Sequence, residues 1–402
     1  MPTPVPSVNA STGTTHDPFS SQDRFSQCPM ARQERGVVPG VRAVRRPSVR
    51  DDLALHPGYH SPQVDVDVRL NTNEAPEPPP AGFREALATE LDRVAWHRYP
   101  DRAAVELRTA IARHHDVDPA QVFVANGSNE VLQTLCLTYG GPGRRVATFE
   151  PTYALHSHIP KITNTEVVSG ERTDDFRLDL GEVERVLGEH DPTITFLCSP
   201  NNPTGMVESE ADVRAVAELA PGLLVVDEAY GQFAPWSALD LVDADAPIVV
   251  TRTYSKTWSM AAARLGYLIG PTWLVDELSE VVLPYHLDVV KQVAGRVALR
   301  FESEMHARVA SLVEERGRVS VAMADLGVTV WPSGANFVLF RPDGHAGDEV
   351  WKSLLDHSVL VRNCASWPRL DGCLRLTLGS AAENDRFLAA LADVLDRIPE
   401  ET

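Results

Sequence analysis

From about residue 90 the chain repeats one pattern: a short apolar run, a knot of polar and turn-forming residues, then a stretch with helical spacing. The apolar runs are "QVFVAN" (121–126), "RVATFE" (145–150), "TITFLCS" (193–199), "LLVVDEAY" (223–230), "PIVVTRT" (247–253) and "LGYLIG" (265–270). Between the first two, Val131, Leu132, Leu135 and Leu137 recur at helical spacing. Between the third and fourth, Ser209 and Asp212 form a capping-box start for another helix. Strands alternating with helices predict an α/β domain built on a mostly parallel central sheet flanked by helices. After Lys291 a long helical region runs to about Leu326. Shorter strands follow at "GVTVWP", "ANFVLF", "SVLVRN" and "CLRLTLG", which predict a smaller α+β domain.

In a parallel sheet, ligands sit beyond the carboxyl ends of the strands. There the polar knots fall: "NGSNE" (126–130), "EPTY" (150–153), "SPNNPTG" (199–205), "DEAY" (227–230) and "TYSK" (253–256). Asp227 ends a run read as buried on both faces, so its carboxylate needs a cationic partner, either a protein side chain or a ligand. Tyr230 can bring a phenol to the same ligand, and the loop after "TITFLCS" can aim Asn202 at it. Gly127, Ser128 and Asn129 open a helix, whose free N–H groups suit a phosphate; a plain helix cap is the other reading. Tyr153 could stack on a flat ligand or simply pack in the core. Lys256 stands among the hydroxyls of Thr253, Ser255 and Thr257, with Arg264 eight residues on. A lysine for a covalent bond, an acid, a phenol, an aromatic platform and a phosphate seat are together what pyridoxal phosphate requires.

On "RLNTNEAP", "HRYPD", "ANGSNE", "EPTY", "SPNNPTG", "VVDEAY", "TRTYSK", "ARLGY", "LPYHL" and "GCLRLTLG", residues 50 to 395 resemble the fold-type I pyridoxal-phosphate aminotransferases. Within them the set is similar to the histidinol-phosphate aminotransferases. The resemblance implies that Lys256 bonds the cofactor and shuttles a proton, while Asp227 faces the pyridine nitrogen. It implies that Asn202 and Tyr230 hold the ring's oxygen and that Tyr153 stacks. Gly127, Ser128, Asn129, Thr253, Ser255 and Arg264 would hold the phosphate. Arg375 would take a substrate carboxylate, Arg362 would stand near a substrate phosphate, and Asn73 would line the entrance. Tyr99 would reach the active site of a partner subunit, which implies a homodimer.

By the same resemblance the expected reaction is reversible, ping-pong transfer of an amino group between histidinol phosphate and 2-oxoglutarate, in histidine biosynthesis. An aromatic or secondary-metabolite aminotransferase, or a decarboxylase of a phosphorylated amino acid, could use the same frame. The chain departs from the family pattern at Ala262, at Asp288 and Val289, and in "NCASWPRLDG" (363–372) with its own Trp367 and Arg369. Asp288 is expected near the substrate path.

Composition narrows the partners. Lys and Arg number 37 against 56 acids, a net charge of −19 with the acid spread along the chain rather than gathered into a tail, which argues against nucleic acid as the main partner. No apolar run reaches the length of a membrane span. Five scattered cysteines without a CxxC pair suggest neither a disulfide framework nor a zinc site and fit a reducing, cytoplasmic setting. Residues 1–48 are Arg-, Pro- and Ser-rich and read as a disordered extension, with Met30 a possible start. The expected division is an arm over 49–95, a large cofactor-binding domain over 96–300 and a small domain over 301–402. "HSH" (156–158) reads as structural or surface histidines, and "HH" (114–115) as solvent-facing. "GGPG" (140–143) is a turn rather than a phosphate loop, since no lysine and hydroxyl follow it.

Overall fold

A computed structural model of the chain describes residues 48–50, 53 and 63–398. Residues 1–47 of the expected extension, with Met30 and Cys28, lie outside the described residues. Twelve strands are assigned: β1 (Val68–Leu70), β2 (Val122–Ala125), β3 (Arg145–Glu150), β4 (Glu166–Glu171), β5 (Ile194–Cys198), β6 (Leu223–Asp227), β7 (Ile248–Thr253), β8 (Gly266–Ile269), β9 (Val328–Val330), β10 (Phe337–Pro342), β11 (Val359–Asn363) and β12 (Leu374–Thr377). They form a seven-stranded sheet of order β2-β8-β7-β6-β5-β3-β4 and a five-stranded sheet of order β1-β11-β12-β10-β9.

In the larger sheet β4, β3, β5, β6 and β7 run parallel, and β8 runs against both β7 and β2. Its central strands are buried along their whole length, which is why they read as unbroken apolar runs. Val225 and Val249 face a cluster with Leu132, Leu135 and Leu274, from helices Ser128–Tyr139 and Thr272–Val281. Leu224, Val226 and Val250 point the other way, onto Val183, Val186 and Val213 from helices Leu180–His190 and Glu210–Leu219. Ser209 caps the latter helix by accepting from the Asp212 amide, as its sequence predicts.

The smaller sheet is antiparallel except where β1 pairs in parallel with β11. A segment 250 residues and more upstream thus becomes the edge of the C-terminal sheet. The helical region expected after Lys291 is two helices, Val289–Ala298 and Glu302–Asp325, joined by a 3-10 turn over Leu299–Phe301. Asp288 sets the start of the first, its carboxylate accepting from the Lys291 amide and pairing with the Lys291 ammonium. Cys136, Cys198, Cys364 and Cys373 are free, buried thiols.

Candidate active site

The parallel strands end together. Asp227 of β6 lies in register between Cys198 of β5 and Thr251 of β7, so the loops that follow these strands converge on one edge. Residues after β1 and Arg375 of β12 face them from the smaller sheet. The space between is a cavity of about 400 Å³. Its walls include Asn73, Ser128, Asn129, Tyr153, Asn202, Asp227, Tyr230, Thr253, Ser255, Lys256, Arg264 and Arg375. These residues span three hundred positions of sequence, and the fold brings them to one place.

Lys256 is half-buried on the cavity wall, its ammonium nitrogen 3.1 Å from the Thr72 carbonyl and 5.6 Å from the centre of the Tyr230 ring. Burial, with the nearby positive charge of Arg375, lowers its pKa to about 7, so near neutrality much of the amine is an unprotonated nucleophile. Asp227 is 1% exposed. Its Oδ2 meets His156 Nε2 at 3.0 Å, and its Oδ1 accepts from the Thr251 hydroxyl and the Ala229 amide. The sequence asks for a cationic partner beside Asp227; the side chain that stands there is His156, within hydrogen-bond distance. The other ring nitrogen of His156, Nδ1, is buried without a partner among the described residues. The ring is fixed by stacking on Phe196 at 4.8 Å and by the edge of Tyr153 at 5.4 Å.

A polar cradle lies beside Lys256. Thr253 donates to Ser255 Oγ at 3.0 Å, and Arg264 Nη1 donates to the same oxygen at 3.2 Å. Gly127, at φ +87°, precedes the helix whose first amides, those of Ser128 and Asn129, have no carbonyl of their own helix to donate to. Gly266 of β8 lets this turn come close, because a Cβ there would stand 2.3 Å from the Ser128 nitrogen. Likewise a Cβ on Gly127 would stand 3.0 Å from Arg264 Nη2. The cradle thus combines a helix N-terminus, hydroxyls and a guanidinium, the chemistry of an anion seat.

Across the cavity, Arg375 donates to Asn202 Oδ1 at 2.5 Å and to the Asn71 carbonyl at 2.9 Å, with its guanidinium 5.2 Å above Phe337. Its Nε is buried with no partner among the described residues. Asn73, in the left-handed region at φ +55°, donates to the Tyr230 hydroxyl and is held by Thr377. Burial raises the Tyr230 phenol well above its ordinary value, so it remains protonated.

Some expected residues stand elsewhere. Arg362 lines a second cavity of about 600 Å³, which shares Asn71 with the first. Tyr99 is 80% exposed and stacks on Tyr285 at 4.5 Å. Asp288 caps a helix, pairs with the Lys291 ammonium and is absent from the walls of the first cavity. The histidines at 114 and 115 are not solvent-facing. His115 meets the Tyr267 hydroxyl at 2.8 Å, and burial with nearby Arg252 pushes its pKa down to about 2.

Residues 65–391 match the profile of the family described as aminotransferase class I and II. The chain belongs to that family. The aminotransferase is 44% identical over 354 residues to a histidinol-phosphate aminotransferase of Nocardia farcinica, covering 84% of this chain and 91% of the relative. It is 42% identical to the enzyme of the same name from Corynebacterium diphtheriae, covering 86% of this chain and 96% of the relative. Among solved structures it is similar to the histidinol-phosphate aminotransferase from Sinorhizobium meliloti in complex with pyridoxal-5'-phosphate. The TM-score is 0.76 at 25% identity, over 82% of this chain and 91% of that one.

Two groups in the aminotransferase's site escape sequence reasoning. His156 was assigned to structure or surface, because "HSH" gives no metal spacing and the partner carboxylate lies 71 residues away. The Thr72 carbonyl is invisible in the same way, since a backbone acceptor leaves no mark in the residue type. The orphaned Arg375 Nε, the close-set glycines and the helix amides with no acceptor in their own helix all fit a ligand with an anionic end and a carboxylate-bearing partner.

Proposed function

We propose that the enzyme transfers an amino group between histidinol phosphate and 2-oxoglutarate with pyridoxal phosphate as cofactor, as a homodimer in the cytoplasm. The observation that carries the chemistry is the near-neutral Lys256 amine sharing one cavity with the buried Asp227–His156 pair and with Arg375. Identity of 42–44% to histidinol-phosphate aminotransferases over most of the chain supports the substrate. Arg362, directly opposite Arg375 in the β11–β12 register, supports it further.

Bound here, pyridoxal phosphate would supply an aldehyde that condenses with amines and a ring that takes up the electron pair left on the substrate's Cα. Lys256 Nζ takes the proton from the substrate's Cα and returns it; the lowered pKa suits an amine that must act as base near pH 7. Asp227 would pair with the cofactor's ring nitrogen and favour its protonated form, and His156, 3.0 Å from Asp227 Oδ2, keeps that carboxylate in place. Asn202 and Tyr230 would hold the ring's oxygen, and Tyr153 would supply the aromatic platform. Gly127, Ser128, Asn129, Thr253, Ser255 and Arg264 would seat its phosphate. Arg375 binds a substrate carboxylate by the paired N–H geometry that a guanidinium offers. Asn73 lines the entrance, and Arg362 receives the substrate's phosphate.

The same reading divides the chain into an arm (49–95), a large domain (96–300) and a small domain (301–402). The pairing of β1 with β11 supports an arm tied to the small domain. Exposed Trp96, Tyr99 and Leu283 support a subunit contact in which Tyr99 enters the partner's site. Among the described residues no helix is long and apolar enough to cross a membrane.

Steady-state assays of the loaded enzyme with histidinol phosphate, phenylalanine and tyrosine, each against 2-oxoglutarate, test the substrate. The expected result is the highest kcat/KM with histidinol phosphate; a higher value with phenylalanine overturns it.

A further inference from the structure

Arg362 and Arg375 are direct partners across the antiparallel β11–β12 ladder. Cross-strand partners share a face, and like charges set opposite each other repel. Arg375 is fixed by Asn202 and the Asn71 carbonyl. Arg362 has a different support: its guanidinium carbon lies 5.7 Å from the centre of the Trp367 ring. We propose that Trp367 is a positioning residue that sets specificity for a phosphorylated amino substrate by holding the guanidinium of Arg362 beside its ring. The proposal rests on the reading of Arg362 given above.

The geometry of the 363–372 loop carries it. Trp367 donates its amide to the Cys364 carbonyl, and its own carbonyl accepts from Leu370. Its ring packs against a buried cluster that includes Phe176, Leu339 and Leu370. Next but one in sequence, Arg369 pairs with Asp174 at 2.7 Å and donates to the Arg172 carbonyl, tying the loop to a segment almost two hundred residues upstream. The ring is therefore a fixed platform rather than a surface side chain. At 5.7 Å the Arg362 guanidinium is within cation–π reach of this indole, whose electron-rich face attracts it and limits where it can swing.

The surroundings make that orientation matter. The cavity of about 600 Å³ beside Arg362 also has Asp348 and Asp371 on its walls. A phosphate monoester entering a space lined by two carboxylates is located by where the guanidinium points. The cavity shares Asn71 with the one that holds Lys256, so a single substrate can have its amine in one and its phosphate in the other.

The test uses the full chain loaded with pyridoxal phosphate. Trp367→Leu and Trp367→Met remove the ring while keeping apolar bulk, so at least one folded variant is expected; Trp367→Phe keeps a smaller ring. The expected result is a KM for histidinol phosphate raised about fivefold to tenfold in the Leu and Met variants, with kcat and the glutamate half-reaction changed less than about twofold. The Phe variant should recover most of the loss. Equal KM in all variants, or a matched loss with glutamate and histidinol phosphate, overturns the proposal and leaves Trp367 as packing. Arg362→Gln separates the two readings. If it leaves the KM for histidinol phosphate unchanged, the assignment of Arg362 itself fails. If it raises that KM while the Trp367 variants do not, only the role of Trp367 fails.

Discussion

At the scale of single residues the site turns on where protons sit. Lys256 would be a charged, unreactive ammonium at neutral pH with its ordinary pKa of 10.5; burial and Arg375 bring it to about 7. The rate at which the cofactor-free enzyme captures pyridoxal phosphate should therefore rise with pH up to about 7 and then level off. A stopped-flow absorbance profile that keeps climbing toward pH 10 would show an unperturbed lysine. His156 acts on the other half of the chemistry. In His156→Leu the buried Asp227 keeps, among the described residues, the Thr251 hydroxyl and the Ala229 amide. Leaving a buried carboxylate short of one partner costs about 1–3 kcal/mol. Urea unfolding should show that loss, and kcat should fall as well, whereas a histidine that merely fills space would lower stability alone.

At the scale of elements, the site depends on two backbones coming closer than side chains permit. Gly266 opens β8 directly behind the Gly127–Ser128 turn, and Ala125 of β2 is its ladder partner. In Gly266→Ala the new methyl overlaps the Ser128 amide, so strand and helix must separate. The expected outcome is a loss of about 1–3 kcal/mol in stability, the range for overpacking. Pyridoxal phosphate, followed by equilibrium dialysis, should also bind at least tenfold more weakly, a tenfold change being about 1.4 kcal/mol. Unchanged cofactor affinity would show that the cradle does not seat the phosphate.

The same elements show what a linear reading can and cannot reach. The central strands were legible because burial on both faces leaves an uninterrupted apolar run, as in "LLVVD". β4 was not, because it is the edge of its sheet and buries only Val168 and Gly170. β1 has three residues, and its strand character comes from pairing with β11 almost three hundred residues later. The break between the helices after Lys291 was likewise hidden, since "ALRFES" contains neither proline nor glycine. Residues placed by their own strand, such as Asp227 and Lys256, could be read from sequence. Those placed by a partner from elsewhere, such as His156, could not.

At the scale of the whole molecule, the question is whether one chain makes a complete site. The 400 Å³ cavity holds Lys256, Asp227 and Arg375 from a single chain, but Tyr99 lies outside its walls on an exposed surface, stacked on Tyr285. The proposed homodimer, in which Tyr99 serves the partner's site, gives a prediction that no single-chain role can match. Tyr99→Ala and Lys256→Ala should each be nearly inactive alone. When the two are unfolded together and refolded, half of the dimers combine one chain of each kind. Each such dimer has one site with Lys256 from the first chain and Tyr99 from the second. Activity should return to roughly a quarter of wild type, because that is the fraction of intact sites under two-fold symmetry. If Tyr99 acted within its own chain, every site would lack one residue or the other. The mixture would then stay as inactive as its parts.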